Sequence, residues 1–316
     1  MSNIYTRDFG PDGALSYLLS QRTYIESTVY ERRYPNVTYQ DILVVDQSAP
    51  EWAPTIAVRS MDYRGELQFI GPNSNDVNRA DVGYSIGTQP VNSMAIGYGY
   101  SFEEIGQAQY MGLNLPQDKA NAAMRVAEQG LNKLAYLGNA DAGYEGLYNN
   151  SAVPVTTASG TLASLIGAAS DQAGAQALVT FFQDALTRVY VDQTNTVFQA
   201  THILLPPRAY QALRSTILPL SGNFTVLNYL ETNLGSGVAP VQILPDLNLA
   251  GAGAGGTDRM VIYTKDPDVA KFHLPMSPRF LEQYRDSALS WFIPLMLRTG
   301  GAEVRIPSAL LYIDGV

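Results

Sequence analysis

The sequence contains no cysteine and only two histidines among its 316 residues. Without thiols, disulfides, thiolate zinc sites, iron–sulfur clusters and cysteine nucleophiles are all excluded. The two histidines, His202 and His273, are too few for a multi-histidine metal centre. We therefore predict no metal and no other cofactor.

Positive charge and long apolar runs are scarce as well. Lysine and arginine together number 20 against 29 acidic residues, which gives a net charge of −9. Domains that read duplex DNA normally carry a basic surplus, so sequence-specific DNA binding is not expected. No apolar run approaches the roughly 18 residues of a transmembrane helix, and the first residues lack the pattern of a secretory signal. No association with a membrane is therefore predicted.

Two consecutive helices have well-marked ends. Ser101 and Glu104 stand at the spacing of a capping box, which predicts a short helix ending near Met111. A second helix is predicted over 116–137, because proline is tolerated in the first turn and Gly138 closes the last one. At 1.5 Å per residue this helix is roughly 33 Å long, and its apolar stripe consists mostly of alanine. We expect it to be a supporting helix on which another element packs closely.

Strands are predicted on both sides of this helical region. The strand at 94–101 alternates aromatic residues with glycine and other small residues, so another backbone is expected to approach it closely. Further on, strands at 202–205 and 241–244 flank a helix. This strand–helix–strand order predicts a small α/β subdomain over roughly 150–250.

Residues 52–85 are predicted to form a long two-stranded excursion. Residues 55–70 alternate apolar and polar side chains, and the turn candidate Asp62-Tyr63-Arg64-Gly65 predicts a hairpin within this segment. The excursion has little apolar surface on either face, and an isolated two-stranded ribbon is only marginally stable in water. It is therefore expected to lie against the body of the molecule or against a neighbouring subunit.

The charged residues of this excursion are the candidate site residues. They are Arg59, Arg64, Glu66, Arg79 and Asp81. Two interpretations stand side by side. These side chains form a solvated face, or they form ion pairs across a subunit interface, where the arginine fork gives geometrically specific contacts.

Enzymatic chemistry has three weak candidates. Residues 251–256 match G-x-G-x-x-G, but a strand follows where a dinucleotide site needs a helix, so a flexible hairpin loop is favoured. His202 and His273 could each serve a hydrolase triad. No G-x-S-x-G motif is present, however, and a structural histidine is favoured at both positions. No enzymatic activity is therefore predicted.

The order of these parts resembles the major capsid protein of tailed bacteriophages, the Hong Kong 97-type fold. The resemblance covers nearly the whole chain and rests on the order and spacing of short motifs rather than on any single one. The segments that carry it are Tyr34-Pro35 through Tyr39-Gln40-Asp41-Ile42, Glu51-Trp52-Ala53, Tyr98 to Glu104, Leu137-Gly138 leading to Gly146-Leu147-Tyr148-Asn149, Arg298 to Val304, Pro307-Ser308-Ala309 and Tyr312 to Gly315.

The resemblance implies an α+β fold with four parts. They are an N-terminal arm (1–51), an extended β-hairpin called the E-loop (52–90), a peripheral domain (91–149 and 258–316) with a long spine helix at about 116–137, and an α/β axial domain (150–257).

The function that the resemblance implies is structural. Such a chain assembles with itself into pentamers and hexamers that form an icosahedral head, and it encloses packaged double-stranded DNA without sequence-specific binding. Portal, scaffolding and decoration proteins are the further partners. The expected location is the virion, with assembly in the host cytoplasm.

Two aspects of this function remain open to alternatives. Some relatives crosslink an E-loop lysine to a neighbour's asparagine, but residues 52–90 contain no lysine, so a shell without covalent crosslinks is expected. The alternative functions are an encapsulin-type compartment that encloses a cargo enzyme and, behind it, a soluble hydrolase that uses His202 or His273.

Overall fold

The computed structural model describes residues 36–69, 77–111, 115–158, 160–169, 171–218, 224–234 and 240–316. Most of the predicted N-terminal arm, residues 1–35, lies outside these ranges. The described residues include seven α-helices: α1 (Tyr39–Ile42), α2 (Phe102–Met111), α3 (Leu115–Leu137), α4 (Leu162–Ala168), α5 (Gln172–Thr187), α6 (Pro207–Ser215) and α7 (Val226–Asn233). They also include fourteen β-strands: β1 (Val44–Asp46), β2 (Thr55–Arg64), β3 (Asp81–Pro90), β4 (Asn92–Ser101), β5 (Val155–Thr157), β6 (His202–Leu205), β7 (Gln242–Pro245), β8 (Arg259–Tyr263), β9 (Ala270–His273), β10 (Met276–Phe280), β11 (Tyr284–Ser287), β12 (Ser290–Thr299), β13 (Gly301–Val304) and β14 (Leu310–Asp314).

A five-stranded sheet with the order β5-β14-β8-β6-β7 separates two hydrophobic cores. Side chains alternate between the two faces of a strand, so a strand buried on both faces supplies both cores. On β8, Met260 and Ile262 join one core whereas Val261 and Tyr263 join the other, and all four are fully buried. This double burial explains why residues 260–263 of β8 form a continuous apolar run rather than an alternating one.

The same sheet combines strands from distant parts of the chain. β6 and β7 run parallel and are connected through α6 and α7, as the strand–helix–strand order predicts. β8 and β14, near the end of the chain, pair with β6 and β5. The domain border expected at residue 257 therefore falls between strands of one sheet.

The core that contains α3 is closed by a four-stranded sheet of β4, β10, β11 and β12. Ala127, Leu131 and Leu134 of α3 are buried in this core, which confirms the predicted stripe. β4 pairs with β12 along its whole length. A side chain at Gly97 would meet the ring of Phe292 and the backbone oxygen of Ile293, and one at Gly99 the backbone oxygen of Trp291, so the expected close approach of another backbone to β4 is confirmed.

The predicted ends of α2 and α3 are confirmed. The Ser101 hydroxyl accepts a hydrogen bond from the Glu104 amide, and the Glu104 carboxylate accepts one from the Ser101 amide, both at 3.2 Å. These bonds satisfy amides that a helix N-terminus leaves without intrahelical partners. Gly138 ends α3 with a φ of 65°, in the left-handed region that favours glycine.

The predicted hairpin within 55–70 is wrong. β2 does not turn at Asp62–Gly65 but continues to Arg64 and pairs with β3, from Thr55 opposite Pro90 to Arg64 opposite Asp81. A turn at Asp62 would have offered only residues 66–70 as partners. The β2–β3 ladder is more stable than a hairpin within 55–70, because it pairs ten residues of each strand and each added pair satisfies more backbone hydrogen-bonding groups.

Candidate subunit-interface surface

β2 and β3 form a two-stranded sheet, here called the ribbon, whose two faces differ in chemistry. Residues directly opposite each other in an antiparallel pair project from the same face. Met61 lies opposite Tyr84, and Tyr63 opposite Val82. The face that these residues share, here called the apolar face, consists of Thr55, Ala57, Arg59, Met61 and Tyr63 of β2 and Val82, Tyr84, Ile86, Thr88 and Pro90 of β3.

The apolar face is open to solvent in the single chain. Met61, Tyr63, Tyr84 and Ile86 are 50–75% exposed. The expectation that the ribbon carries little apolar surface is therefore wrong for this face, because the register brings apolar residues of two separate segments side by side. A contiguous exposed apolar patch on a water-soluble surface is typical of a contact site.

Apolar exposure continues beyond the paired strands. Leu67 and Phe69, which follow β2, are fully exposed, and Val77, which precedes β3, is mostly exposed. A further exposed apolar group lies on the four-stranded sheet, where Leu281, Tyr284 and Leu289 are exposed around β11. The described part of the chain thus exposes large apolar side chains on both the ribbon and the four-stranded sheet.

One of the candidate charged residues, Arg64, forms an ion pair within the ribbon. Arg64 lies opposite Asp81 in the register, and its guanidinium forms an ion pair with Asp62 at 3.8 Å. Both side chains of that pair are about three-quarters exposed. Such an exposed pair contributes at most about 1 kcal/mol to stability.

The other candidates do not meet one another in the single chain. Arg59 lies opposite Ile86 on the apolar face, and the Asp81 carboxylate accepts a hydrogen bond from the neighbouring Val82 amide. Across the described ranges, Arg59, Glu66, Arg79 and Asp81 form no ion pair within 4 Å. Their assignment to a subunit interface stays a prediction.

The base of the ribbon is fixed by residues that the sequence did not single out. The Tyr144 hydroxyl accepts from the Asn92 amide at 3.1 Å and lies 2.9 Å from the Pro90 carbonyl oxygen, to which it donates. Gln89 donates to the Gly300 carbonyl oxygen at 2.8 Å. No local motif marks Tyr144 among 20 tyrosines, because its partners are distant in the chain.

His273 lies in a three-stranded sheet in which β9 is flanked by β1 and β13. Its side chain is fully buried, with Nε2 2.7 Å from a Glu303 carboxylate oxygen and Nδ1 3.7 Å from an Asp46 carboxylate oxygen. Nε2 is engaged by Glu303, and the ring is too deeply buried for a substrate to reach it, although Nδ1 itself makes no hydrogen bond within the described residues. The geometry therefore favours the structural interpretation of His273.

Two cations complete this buried cluster. Lys271 contacts the Asp46 carboxylate, and the Arg305 Nε lies 3.1 Å from Glu303. Burial by itself raises the pKa of Asp46, but the hydrogen bond from Lys271 outweighs it and holds that pKa well below its usual range. Burial is likewise outweighed at Glu303, whose pKa is lowered by hydrogen bonds from His273 and Arg305. The cluster joins β1, which precedes the ribbon, to the body of the molecule.

His202 begins β6 and is buried against Tyr263, with 5.3 Å between the ring centroids. Its Nδ1 lies 2.8 Å from the Thr201 hydroxyl oxygen. Burial and then the positive charge of Lys265 lower the pKa of His202 to about 4. These contacts fit a core histidine that stays neutral near pH 7.

Residues 251–256 form a loop between β7 and β8. The expectation of a hairpin loop is wrong, because β6 lies between β7 and β8 in the sheet. The amide of Gly251 donates to the Asp258 carboxylate and that of Ala254 to the Asp314 carboxylate. These amides are therefore not free to donate to a phosphate, as a dinucleotide site would require. β8 follows the loop directly, as the sequence predicts.

Neither a metal site nor a membrane span is present in the described ranges. These residues include no group of three or more histidine, aspartate or glutamate side chains that could hold a metal ion. Their helices are also too short or too polar to cross a lipid bilayer.

A sequence model of the family described as "Major capsid protein" matches residues 65–316, about four-fifths of the chain. The chain belongs to the major capsid protein family. Membership places it among the structural proteins of the virion. No curated protein sequence matches the chain.

Solved structures from two phages and from a GTA particle have the same fold as this family member. The capsid of Myoviridae phage XM1 superposes with a TM-score of 0.79 at 18% identity, covering 94% of this chain and 98% of that chain. Mycobacterium phage Ogopogo gives 0.61 at 10% identity, with 94% and 98% covered. The capsid of a native GTA particle gives 0.61 at 12% identity, with 92% and 94% covered. The α+β capsid fold implied by the resemblance is therefore confirmed.

Proposed function

We propose that this chain forms the closed icosahedral head of a tailed phage, in which pentamers and hexamers enclose packaged double-stranded DNA. The apolar face of the ribbon carries the proposal. It exposes four large apolar side chains on a strand pair that a second layer must cover. Full burial of such a side chain contributes about 1.5–3 kcal/mol, so covering this face with a second copy drives association.

The parts of the chain take the roles that the family resemblance implies. Residues 1–51 act as the N-terminal arm and 52–90 as the E-loop. Residues 91–149 and 258–316 form the peripheral domain, with α3 as its spine helix, and 150–257 form the axial domain. Arg59, Arg64, Glu66, Arg79 and Asp81 pair with charges of a neighbouring subunit.

The shell is proposed to be held together without covalent crosslinks. All four lysines lie outside the ribbon, at 119, 133, 265 and 271. Lys119 and Lys271 are engaged by Glu104 and Asp46, and Lys265 donates to the Asp41 carbonyl oxygen. An amine is therefore missing from the segment in which relatives place their crosslink.

The acidic character of the chain suits a container for DNA. A net charge of −9 has the same sign as the phosphate backbone, so the shell encloses DNA without binding it tightly. Portal, scaffolding and decoration proteins complete the head, which is assembled in the host cytoplasm.

Sedimentation velocity of the recombinant chain, with negative-stain imaging of the fast fraction, tests the proposal. Closed shells or rings of five or six are the expected products. A 34.4 kDa monomer that stays inert under crowding and with phage partners present would contradict it.

Boiling the shells in SDS should give a single band, and a covalent ladder would refute the non-covalent shell.

The contents of the shells separate the phage head from the compartment alternative. Nuclease-protected DNA is expected in particles assembled during infection. A co-purified enzyme in place of DNA would instead favour the encapsulin-type compartment.

A further inference from the structure

Arg298, the second-last residue of β12, holds the base of the ribbon. Its side chain is buried, with a residue exposure of 7%. Nη1 donates to the Glu51 carbonyl oxygen at 2.6 Å, and Nη2 lies 3.4 Å from the Val91 carbonyl oxygen. The centre of the guanidinium lies 5.5 Å from the ring centroid of Trp52.

These contacts flank both strands of the ribbon. Glu51 and Trp52 precede β2, whereas Val91 directly follows β3. The Val91 amide also donates to the Pro54 carbonyl oxygen at 2.9 Å. One buried side chain thus ties the point at which the chain enters the ribbon to the point at which it leaves.

The Arg298 guanidinium is held by neutral groups at fixed positions rather than by an ion pair. Within the described residues, the partners of the Arg298 guanidinium are two carbonyl oxygens and an indole ring, and its Nε has no hydrogen-bond partner. Burying a cation without a carboxylate is costly, so such a residue is a poor choice for stability alone. The planar guanidinium is, however, well suited to bridging two fixed acceptors.

A small rotation at the base of the ribbon has a large effect at its far end. Ten residues at about 3.4 Å each make the ribbon roughly 34 Å long. A tilt of about 10° at the base therefore moves the far end by about 6 Å, more than the spacing of about 4.8 Å between strands. The apolar face would then miss its contact on a neighbouring subunit.

We propose that Arg298 is the positioning residue that fixes the direction of the ribbon for assembly. The inference rests on the proposed function, because it takes the ribbon to be a contact between subunits. Arg298→Lys keeps the positive charge, but one ammonium cannot replace a planar fork that reaches two carbonyls. The variant should therefore fold yet hold the ribbon loosely.

The absence of cysteine allows a direct test in the full chain. Cysteines introduced in place of Asp62, on the face of the ribbon opposite the apolar face, and Lys133, on α3, carry spin labels for distance measurement; both positions are exposed. Arg298→Lys should broaden the distance distribution. It should also speed hydrogen exchange of the Val91 amide by about tenfold, because the bond from this amide to the Pro54 carbonyl oxygen opens more often once the base of the ribbon is held loosely. An unchanged distribution and exchange rate would overturn the inference.

Arg279→Lys is the matched control. Arg279 contacts the same Glu51, but through its carboxylate at 3.2 Å, and about half of each side chain is exposed. This variant should leave the distance distribution unchanged. Equal broadening in both variants would overturn the specific role of Arg298.

Trp52→Leu decides the matter if Arg298→Lys does not fold. Trp52 is 65% exposed, so its replacement leaves the core intact while it removes the ring that covers the guanidinium. Broadening is again expected, and an unchanged distribution would overturn the inference.

Where the native chain assembles, the folded variants should give open or irregular particles, and regular closed shells from them would overturn it. Failure of the native chain to assemble would count against the proposed function alone, because the distance measurement needs no assembly.

Discussion

Arg259 and Asp314 form a two-point ion pair across the neighbouring strands β8 and β14. The Nε–Oδ1 distance is 2.6 Å and the Nη2–Oδ2 distance is 2.8 Å, and both side chains are buried. The remaining guanidinium nitrogen donates to the Tyr148 carbonyl oxygen at 2.6 Å. The pair thus fastens the sheet between the two cores to the segment that follows α3.

Removing one partner of this pair should destabilise the chain strongly. Arg259→Met leaves the Asp314 carboxylate buried without a counter-charge, and a loss of about 3–5 kcal/mol in the free energy of unfolding is expected. Chemical denaturation of the unassembled chain measures it. Arg279→Met, at a half-exposed pair, is the control and should lose less than about 1 kcal/mol. Equal losses in the two variants would contradict the prediction.

His202 should make stability depend on pH in a defined window. The pKa of His202 is about 4 in the folded chain and 6.5 ordinarily, so the unfolded chain binds the proton first as pH falls. The free energy of unfolding is therefore not reduced by His202 above pH 6.5. It falls by up to about 3 kcal/mol as pH drops from 6.5 to 4.

His202→Gln should flatten the pH dependence of the unfolding free energy in that window. Below about pH 4 both proteins should still lose stability, because the pKa values of Asp46, Glu303 and Asp314 are lowered and their contributions vanish as these carboxyls gain protons. Thermal unfolding across this pH range distinguishes the two effects. An identical slope between pH 6.5 and 4 in both proteins would rule out the role of His202.

The two faces of the ribbon should respond differently to an added charge. Ile86→Glu places a carboxylate on the apolar face, whereas Ser85→Glu places one on the opposite face. Both positions are exposed, so each variant should keep its stability within about 0.5 kcal/mol. Only Ile86→Glu should block assembly in sedimentation, because burying a charge against an apolar partner is costly. Assembly by Ile86→Glu at the native level would show that this face is not a contact.

The four lysines should differ in reactivity toward an amine-specific reagent. Lys133 is exposed, whereas Lys119 and Lys271 are engaged by carboxylates and Lys265 by a carbonyl. An amine held by a carboxylate or a carbonyl oxygen is less free to reach the reagent, so Lys133 should be modified first. Peptide mass mapping after brief labelling measures this order, with Lys133→Arg as the control that removes the fast site. Fast labelling of Lys271 would contradict the ion pair with Asp46.

Local features of the fold could be predicted because they depend on residues close together in the chain. The capping box of Ser101 and Glu104 spans three residues, and Gly138 ends α3 through its own φ. The alanine stripe of α3 follows from helical periodicity, and the bare face of β4 follows from its glycines. The family resemblance added the correct fold, since it rests on the order of such local features.

Pairings between distant residues could not be predicted in the same way. The alternation within β2 is compatible with any partner strand, so only the folded chain selects β3 and thereby creates the apolar face. Arg298 and Glu51 are 247 positions apart, and no motif connects them.

The sequence by itself therefore determined the helices α2 and α3, the strands β4, β6 and β7, the acidic and thiol-free character of the chain and its family. The tertiary structure decided which strands pair, how one sheet serves two cores and which charges are buried together, as His273 is with Asp46 and Glu303. The physical reason is that local conformation reflects energies within a few residues, whereas pairing and burial depend on contacts that exist only once the chain has closed.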